Sequence, residues 1–201
     1  MKKLLCLVLA LSMLCLWGCG ASKDDASSQN QEISEVQKAA ESGKLSASKF
    51  GLGASPKEVK EHYKKLSDDY KAAHKEETEE DHIHSDEKIP FYDLDLKGKY
   101  TEIDVADCRF YYENKNEDKG IVAIATDADV LGFKVGITTK QEVENSVGKK
   151  GETFNATKDE EIFLAVSIED LMIFRVEYTD ALLDFYFYDN TLVNTVLKST
   201  K

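Results

Sequence analysis

Three of the chain's four histidines stand in one stretch, His74-Lys75-Glu76-Glu77-Thr78-Glu79-Glu80-Asp81-His82-Ile83-His84-Ser85-Asp86-Glu87. Imidazole and carboxylate are ligands for zinc and similar ions, and an extended His-x-His pair sends both rings to one side. His82 and His84 are therefore the first candidate ligands, with His74 behind them. No second, separated cluster completes a site, and a metal demands fixed ligand geometry. The other reading is a solvated, acidic insertion over about 71–87 that continues the preceding helix.

A second group of side chains lies on predicted strands. In Leu183-Asp184-Phe185-Tyr186-Phe187-Tyr188 the alternation puts Leu183, Phe185 and Phe187 on one face and Asp184, Tyr186 and Tyr188 on the other. By the same rule Arg109, Tyr111 and Glu113 oppose Cys108, Phe110 and Tyr112, and Arg175 and Glu177 oppose Phe174, Val176 and Tyr178. An open sheet face carrying Tyr and Arg has the composition of a protein-binding surface. Arg109, Tyr111, Arg175, Asp184, Tyr186 and Tyr188 are the candidate partner-binding residues. Cross-strand tyrosine pairs also stabilise a sheet by themselves, and that reading stands beside the first.

Catalytic motifs are missing from the sequence. It contains no Gly-x-Ser-x-Gly, no His-Glu-x-x-His, no glycine-rich phosphate loop, and no Cys with a partner His outside the acidic stretch. With 38 Asp and Glu, any chosen carboxylate pair is uninformative. No catalytic residue and no cofactor is expected, zinc in the insertion being the exception that the histidines raise. A net charge of −12 repels phosphate backbones, so nucleic acid is a poor partner.

The elements that would position these residues repeat. Ile33, Val36 and Ala40 recur at helical spacing before Gly43. Ser55-Pro56-Lys57-Glu58 is a capping box with Pro at the first helical position, followed by the stripe Val59, Tyr63, Leu66, Tyr70 and Ala73. Thr139-Lys140-Gln141-Glu142 is a second box, followed by Val143 and Val147. Phe50-x-x-Gly53 precedes the first and Phe133-x-x-Gly136 the second. A β meander follows each: about 100–105, 108–114 and 120–127, then about 161–167, 171–179, 182–189 and 191–199. The expected fold class is α+β: two tandem helix-plus-antiparallel-meander repeats, about 32–128 and 129–201, forming one sheet with helices on one face.

The run Ala39-Ala40-Glu41-Ser42-Gly43-Lys44, then Phe50-x-x-Gly53, Ser55-x-x-Glu58-Val59, the aromatic strand, Asp127 and a second Glu142-Val143 helix resembles the YjgB family of Gram-positive lipoproteins. The resemblance covers roughly residues 33–199. It implies an architecture similar to β-lactamase inhibitory protein, in which two helix-plus-sheet repeats present a concave sheet to another protein, and it implies no activity. Ser67-Asp68-Asp69 and Gly148-Lys149-Lys150 stand where the family usually has Gly-x-Pro.

The N-terminus sets the expected compartment. Met1-Lys2-Lys3, an apolar run from Leu4 to Trp17 and an abrupt polar turn at Ser22-Lys23-Asp24-Asp25 form a secretory signal, too short for the roughly 20 residues a bilayer-spanning helix needs. Leu16-Trp17-Gly18-Cys19 resembles a lipobox, which makes residues 1–18 a lipoprotein signal peptide and Cys19 the acylated first residue of the mature chain. Ordinary signal cleavage nearby is the competing reading. Residues 19–31 read as a flexible tether and 32–201 as the folded domain. The expected protein is a membrane-anchored, extracellular-facing binding module, engaging an envelope protein or cell-wall component; the alternative is an envelope metal-binding lipoprotein. Cys6 and Cys15 fall in the removed segment, so Cys108 has no disulfide partner in the mature domain and suits a buried apolar position.

Overall fold

The computed structural model describes residues 36–45, 48–73, 91–96, 98–105, 107–148, 150–164 and 169–201, with the backbone alone for 91–95. A helical segment over 36–42 (α1) ends at Gly43, whose φ of +66° turns the chain so that the Lys44 N–H returns to the Ala39 carbonyl at 2.9 Å. Pro56–Ala73 (α2) opens on a proline, which lacks only an N–H that a first turn leaves unused. Glu58 in its first turn and Lys71 in its last both oppose the helix dipole. Lys140–Val147 (α3) starts on the expected box: the Thr139 N–H donates to Glu142 Oε2 at 2.7 Å, and the Glu142 N–H donates to Thr139 Oγ1 at 3.4 Å.

Among the described residues eight strands form one antiparallel sheet: β1 (Phe91–Leu96), β2 (Tyr100–Val105), β3 (Cys108–Glu113), β4 (Ala123–Thr126), β5 (Glu152–Asn155), β6 (Met172–Glu177), β7 (Ala181–Tyr188) and β8 (Thr191–Ser199). The order across the sheet is β1-β2-β3-β4-β8-β7-β6-β5. Strands β1 to β4 thus run inward from one edge, β5 to β8 run inward from the other, and β4 meets β8 at the middle, with Ala125 opposite Val196. The fold is α+β, as the hydrophobic periods predict.

One face of the sheet carries the main core. Ile103, Phe110, Ile124, Val176, Leu183, Phe185 and Leu197 are buried there with Val36 and Leu45, Val59 of α2, and Val143 and Val147 of α3. Phe50 sits edge-on to Phe110 and Phe133 edge-on to Phe185, with centroids 6.4 and 5.5 Å apart. Edge-on aromatic pairs at such spacing contribute about 0.5–1.5 kcal/mol beyond their buried area.

The opposite face corrects the expectation of an open surface. Tyr111, Tyr186 and Asp184 are fully buried and Arg109 is only 5% exposed. Tyr111, Ala123, Ala125, Ile173, Tyr186 and Val196 form a second apolar cluster with Phe163 and Leu171. The cover comes from the described part of the connection from β5 to β6, which includes a short helix, Lys158–Glu161 (α4), and Phe163. The sequence-based strand at 161–167 is therefore overturned over 161–164, which form the end of α4 and a turn. Thr157-Lys158-Asp159-Glu160 closes a capping box of its own there, and the helix start wins over the apolar run Ile162-Phe163-Leu164. Two strands that the periodicity reading leaves out, β1 and β5, form the sheet edges.

Candidate interaction site on the second sheet face

The ladder register brings the candidate residues together. On β3, Arg109 and Tyr111 lie opposite Asp104 and Glu102 of β2 and opposite Ala125 and Ala123 of β4. On β7, Asp184 and Tyr186 lie opposite Arg175 and Ile173 of β6 and opposite Val196 and Asn194 of β8. Arg109, Tyr111, Arg175, Asp184 and Tyr186 therefore share one face, across the β4–β8 join. Tyr188 lies at the end of β7 and is half-exposed.

Two polar groups organise the face. Around Asp184, Arg175 donates through Nε to Oδ1 and through Nη2 to Oδ2, both at 2.7 Å, and Lys198 Nζ lies 2.5 Å from Oδ2. The hydrogen bonds to Asp184 push the Arg175 guanidinium further up, against the effect of its burial. Arg175 also stacks over the Phe154 ring at 4.7 Å and lies 3.7 Å from Glu160 of α4. Burial pushes the Glu160 carboxyl up, but hydrogen bonds from the Thr157 side chain and backbone, with Lys198 and Arg175 nearby, outweigh it and hold the group below the usual carboxylate range.

Around Arg109, the guanidinium reaches the Phe163 carbonyl and Asn194 Oδ1 at 3.4 Å and the Asp127 carboxylate at 3.5 Å. Asn194 Nδ2 donates to the same Phe163 carbonyl at 2.9 Å, and the Tyr186 hydroxyl donates to the Glu160 carbonyl at 3.2 Å. Three side chains of the sheet thus bind main-chain carbonyls of the covering segment. Below them the Phe163 ring meets Tyr111 edge-on at 5.0 Å and packs beside Tyr100 at 5.9 Å, with Lys198 Nζ 5.0 Å from its centroid. Among the described residues Arg109 Nε is buried there without a hydrogen-bond partner, and the Tyr111 hydroxyl has only Glu102 across the ladder, outside ordinary hydrogen-bond geometry. Burial raises the Tyr111 phenol strongly, and the Glu102 charge across the ladder adds to it. Burial likewise raises Tyr186.

Glu102 and Asp104 carry a cost. Burial pushes both carboxyls up, against the opposing pull of Arg109 and, for Glu102, of Tyr111. A carboxyl that is harder to ionise in the folded state than in the unfolded chain destabilises the fold above its folded pKa, and the penalty fades as pH falls through that value. Glu102→Gln is therefore expected to raise the denaturant midpoint at pH 7, with the gap to wild type closing as pH approaches 4. A variant that is less stable than wild type at pH 7 would show instead that the Glu102 charge is needed.

The remaining candidates fall elsewhere. Cys19 lies outside the described residues, as do the signal peptide, the tether, the insertion after Ala73, and His74, His82 and His84. Among the described residues no group of three or more His, Cys, Asp or Glu side chains could hold a metal, and no helix is long and apolar enough to cross a membrane. Cys108 is buried on the main-core face, and burial pushes its thiol up to about 12, which suits an unreactive apolar filler. The contributors that alternation missed are Asn194, Lys198 and Phe163. Asn194 and Lys198 could have been found by extending the face rule to β8; Phe163 could not, because it reaches the face from a connection.

Scanned against protein-family models and against curated proteins, the chain matches none. Among solved structures it is similar to the crystal structure of a DUF4309 family protein, YjgB, from Bacillus subtilis subsp. subtilis str. 168, at 14% identity with a TM-score of 0.40, over 85% of this chain and 97% of that one.

Proposed function

We propose that the protein is a lipid-anchored, non-enzymatic binding module facing the extracellular side, which engages another protein of the envelope through its second sheet face. The observation that carries this reading is the grip of Arg109, Asn194 and Tyr186 on main-chain carbonyls. Side chains so placed recognise peptide backbone, and the Tyr and Arg content around them is that of an interface core. The signal-like N-terminus and Cys19 support the compartment, and the charge of −12 disfavours anionic polymers as partners.

The same reading takes the domain as two tandem repeats of helix plus meander, with an architecture like β-lactamase inhibitory protein. Backbone pairing supports it. The Gly53 N–H donates to the Ile121 carbonyl at 2.8 Å and the Ile121 N–H to Ala54 O at 2.9 Å; the Gly136 N–H donates to the Leu192 carbonyl at 2.8 Å and the Leu192 N–H to Thr138 O at 2.8 Å. In each half the Phe-x-x-Gly segment thus brackets a buried residue just before or early in the last strand, while its Phe packs on the aromatic third strand.

A photo-crosslinking phenylalanine analogue at Tyr100 or Tyr188 of the full-length protein, activated on intact producing cells, should give a discrete protein adduct. Cys19→Ala should release the chain from the membrane fraction. Recovery of unprocessed wild-type protein from the cytosol, or no adduct at either position, would overturn the reading.

A further inference from the structure

The covering segment Thr157–Leu164 meets the sheet as a ligand would. Phe163 drops its ring onto Tyr111 in the cluster floored by the small side chains of Ala123 and Ala125, and its carbonyl is taken by Asn194 and Arg109. Ahead of it in the chain, Asp159 and Glu160 bring carboxylates to a basic rim. Asp159 helps to raise the Lys99 ammonium after the larger effect of Tyr100, and Glu160 lies 3.7 Å from Arg175. The charges on the two sides are complementary.

The fit is incomplete. Among the described residues the contacts of the Arg109 guanidinium are long, at 3.4 to 3.5 Å, and Arg109 Nε is buried beneath the segment with no acceptor, while the Tyr111 hydroxyl has only Glu102 across the ladder. A buried donor without a partner costs about 1–3 kcal/mol, so an occupant that offers a carbonyl to Arg109 Nε would bind better than the segment does. A four-residue helix also has little stability of its own, which leaves the segment held by what it touches.

Resting on the reading of the domain as a binding module, we infer that the second sheet face is a receptor site for an acidic, aromatic peptide, one with carboxylates three and four positions ahead of an aromatic residue. Thr157–Leu164 fills that site as an internal occupant, and a partner carrying the same chemistry displaces it. The hollow reads the partner's ring by Tyr111 and Tyr100, its backbone by Arg109, Asn194 and Tyr186, and its charge by Lys99, Arg175 and Lys198.

The probe is a blocked, fluorescent peptide of the chain's own sequence from Thr157 to Leu164, titrated into the full-length protein in detergent. Phe163→Ala empties the hollow and is expected to bind the peptide at least about tenfold more tightly than wild type. The same peptide with alanine in place of its phenylalanine should not bind, and added salt should weaken binding. In wild type, saturating peptide should speed hydrogen exchange at the Phe163 and Leu164 amides, which donate to the Glu160 and Glu161 carbonyls in the closed segment. A folded Phe163→Ala protein that ignores the peptide overturns the inference. If Phe163→Ala fails to fold, the wild-type exchange decides: unchanged protection at both amides makes Phe163 a core residue and ends the proposal. Should the peptide fail while crosslinked adducts still form at Tyr100 or Tyr188, the binding module stands with a different recognition rule. Peptide binding without adducts would instead remove the envelope partner.

Discussion

Asp184→Ala is expected to cost about 3–5 kcal/mol of folding stability, the loss that follows when one partner of a buried ion group is removed. The carboxylate is fully buried and is the common acceptor of Arg175 from β6 and Lys198 from β8. Without it two cations remain side by side on the inner part of a sheet, one 24% and the other 13% exposed, with Glu160 the remaining carboxylate at 3.7 Å from Arg175. Asp184→Asn keeps the shape and removes the charge. If both variants lose stability alike in urea unfolding, the charge is responsible; if only alanine does, the loss is one of packing and hydrogen bonding. A loss below about 1 kcal/mol in both, the scale of exposed pairs, would mean that the group is solvated and the face open.

Gly120→Ala is the second large effect, expected at about 3 kcal/mol or more, because backbone strain of about 1–3 kcal/mol adds to a steric collision. Gly120 has φ 75° and ψ −158°, a conformation essentially closed to residues with a Cβ. A methyl group there would lie 2.5 Å from the Gly53 carbonyl oxygen and 2.8 Å from that of Ala54, both backbone atoms. Those are the residues whose hydrogen bonds bracket Ile121, so relief of the clash must break the attachment of the segment before α2 to the sheet. Gly98→Ala is the control. Its φ is +94° and nothing lies within 4 Å of the added Cβ, so it should show the conformational strain without the collision. Equal midpoints for the two variants would remove the close approach as the cause.

Legibility of the fold followed locality. The Ser55-Pro56 pattern and the capping box at Thr139 stand directly before α2 and α3, because a helix start is set by residues three apart. The aromatic strands at Arg109 and Asp184 are visible because their side chains alternate, and β2 and β8 were found within a residue of their ends. The third capping box, Thr157 to Glu160, was readable by the same rule, yet the apolar residues after it imitate a strand. β1 hides behind the acidic insertion, and β5 is a four-residue edge strand with too few alternations to count.

The site was legible as a set of residues and illegible as an environment. Alternation placed Arg109, Tyr111, Arg175, Asp184 and Tyr186 on one face, and they are there. Whether that face meets water or protein is not a property of strand period, since a strand buried on both sides and a strand buried on one can share the same alternation. A near-continuous burial pattern in β3, β4 and β7 is the result of the cover from 157–164. Local sequence determined the helix starts, the aromatic strands and the side to which each residue points, because these depend on dihedral preferences and nearest neighbours along the chain. Only the tertiary structure decided that β4 joins β8, that Phe163 closes the second face, and that Asp184 serves two cations, because each depends on contacts between residues far apart in sequence, and loop closure selects those by the packing of the whole.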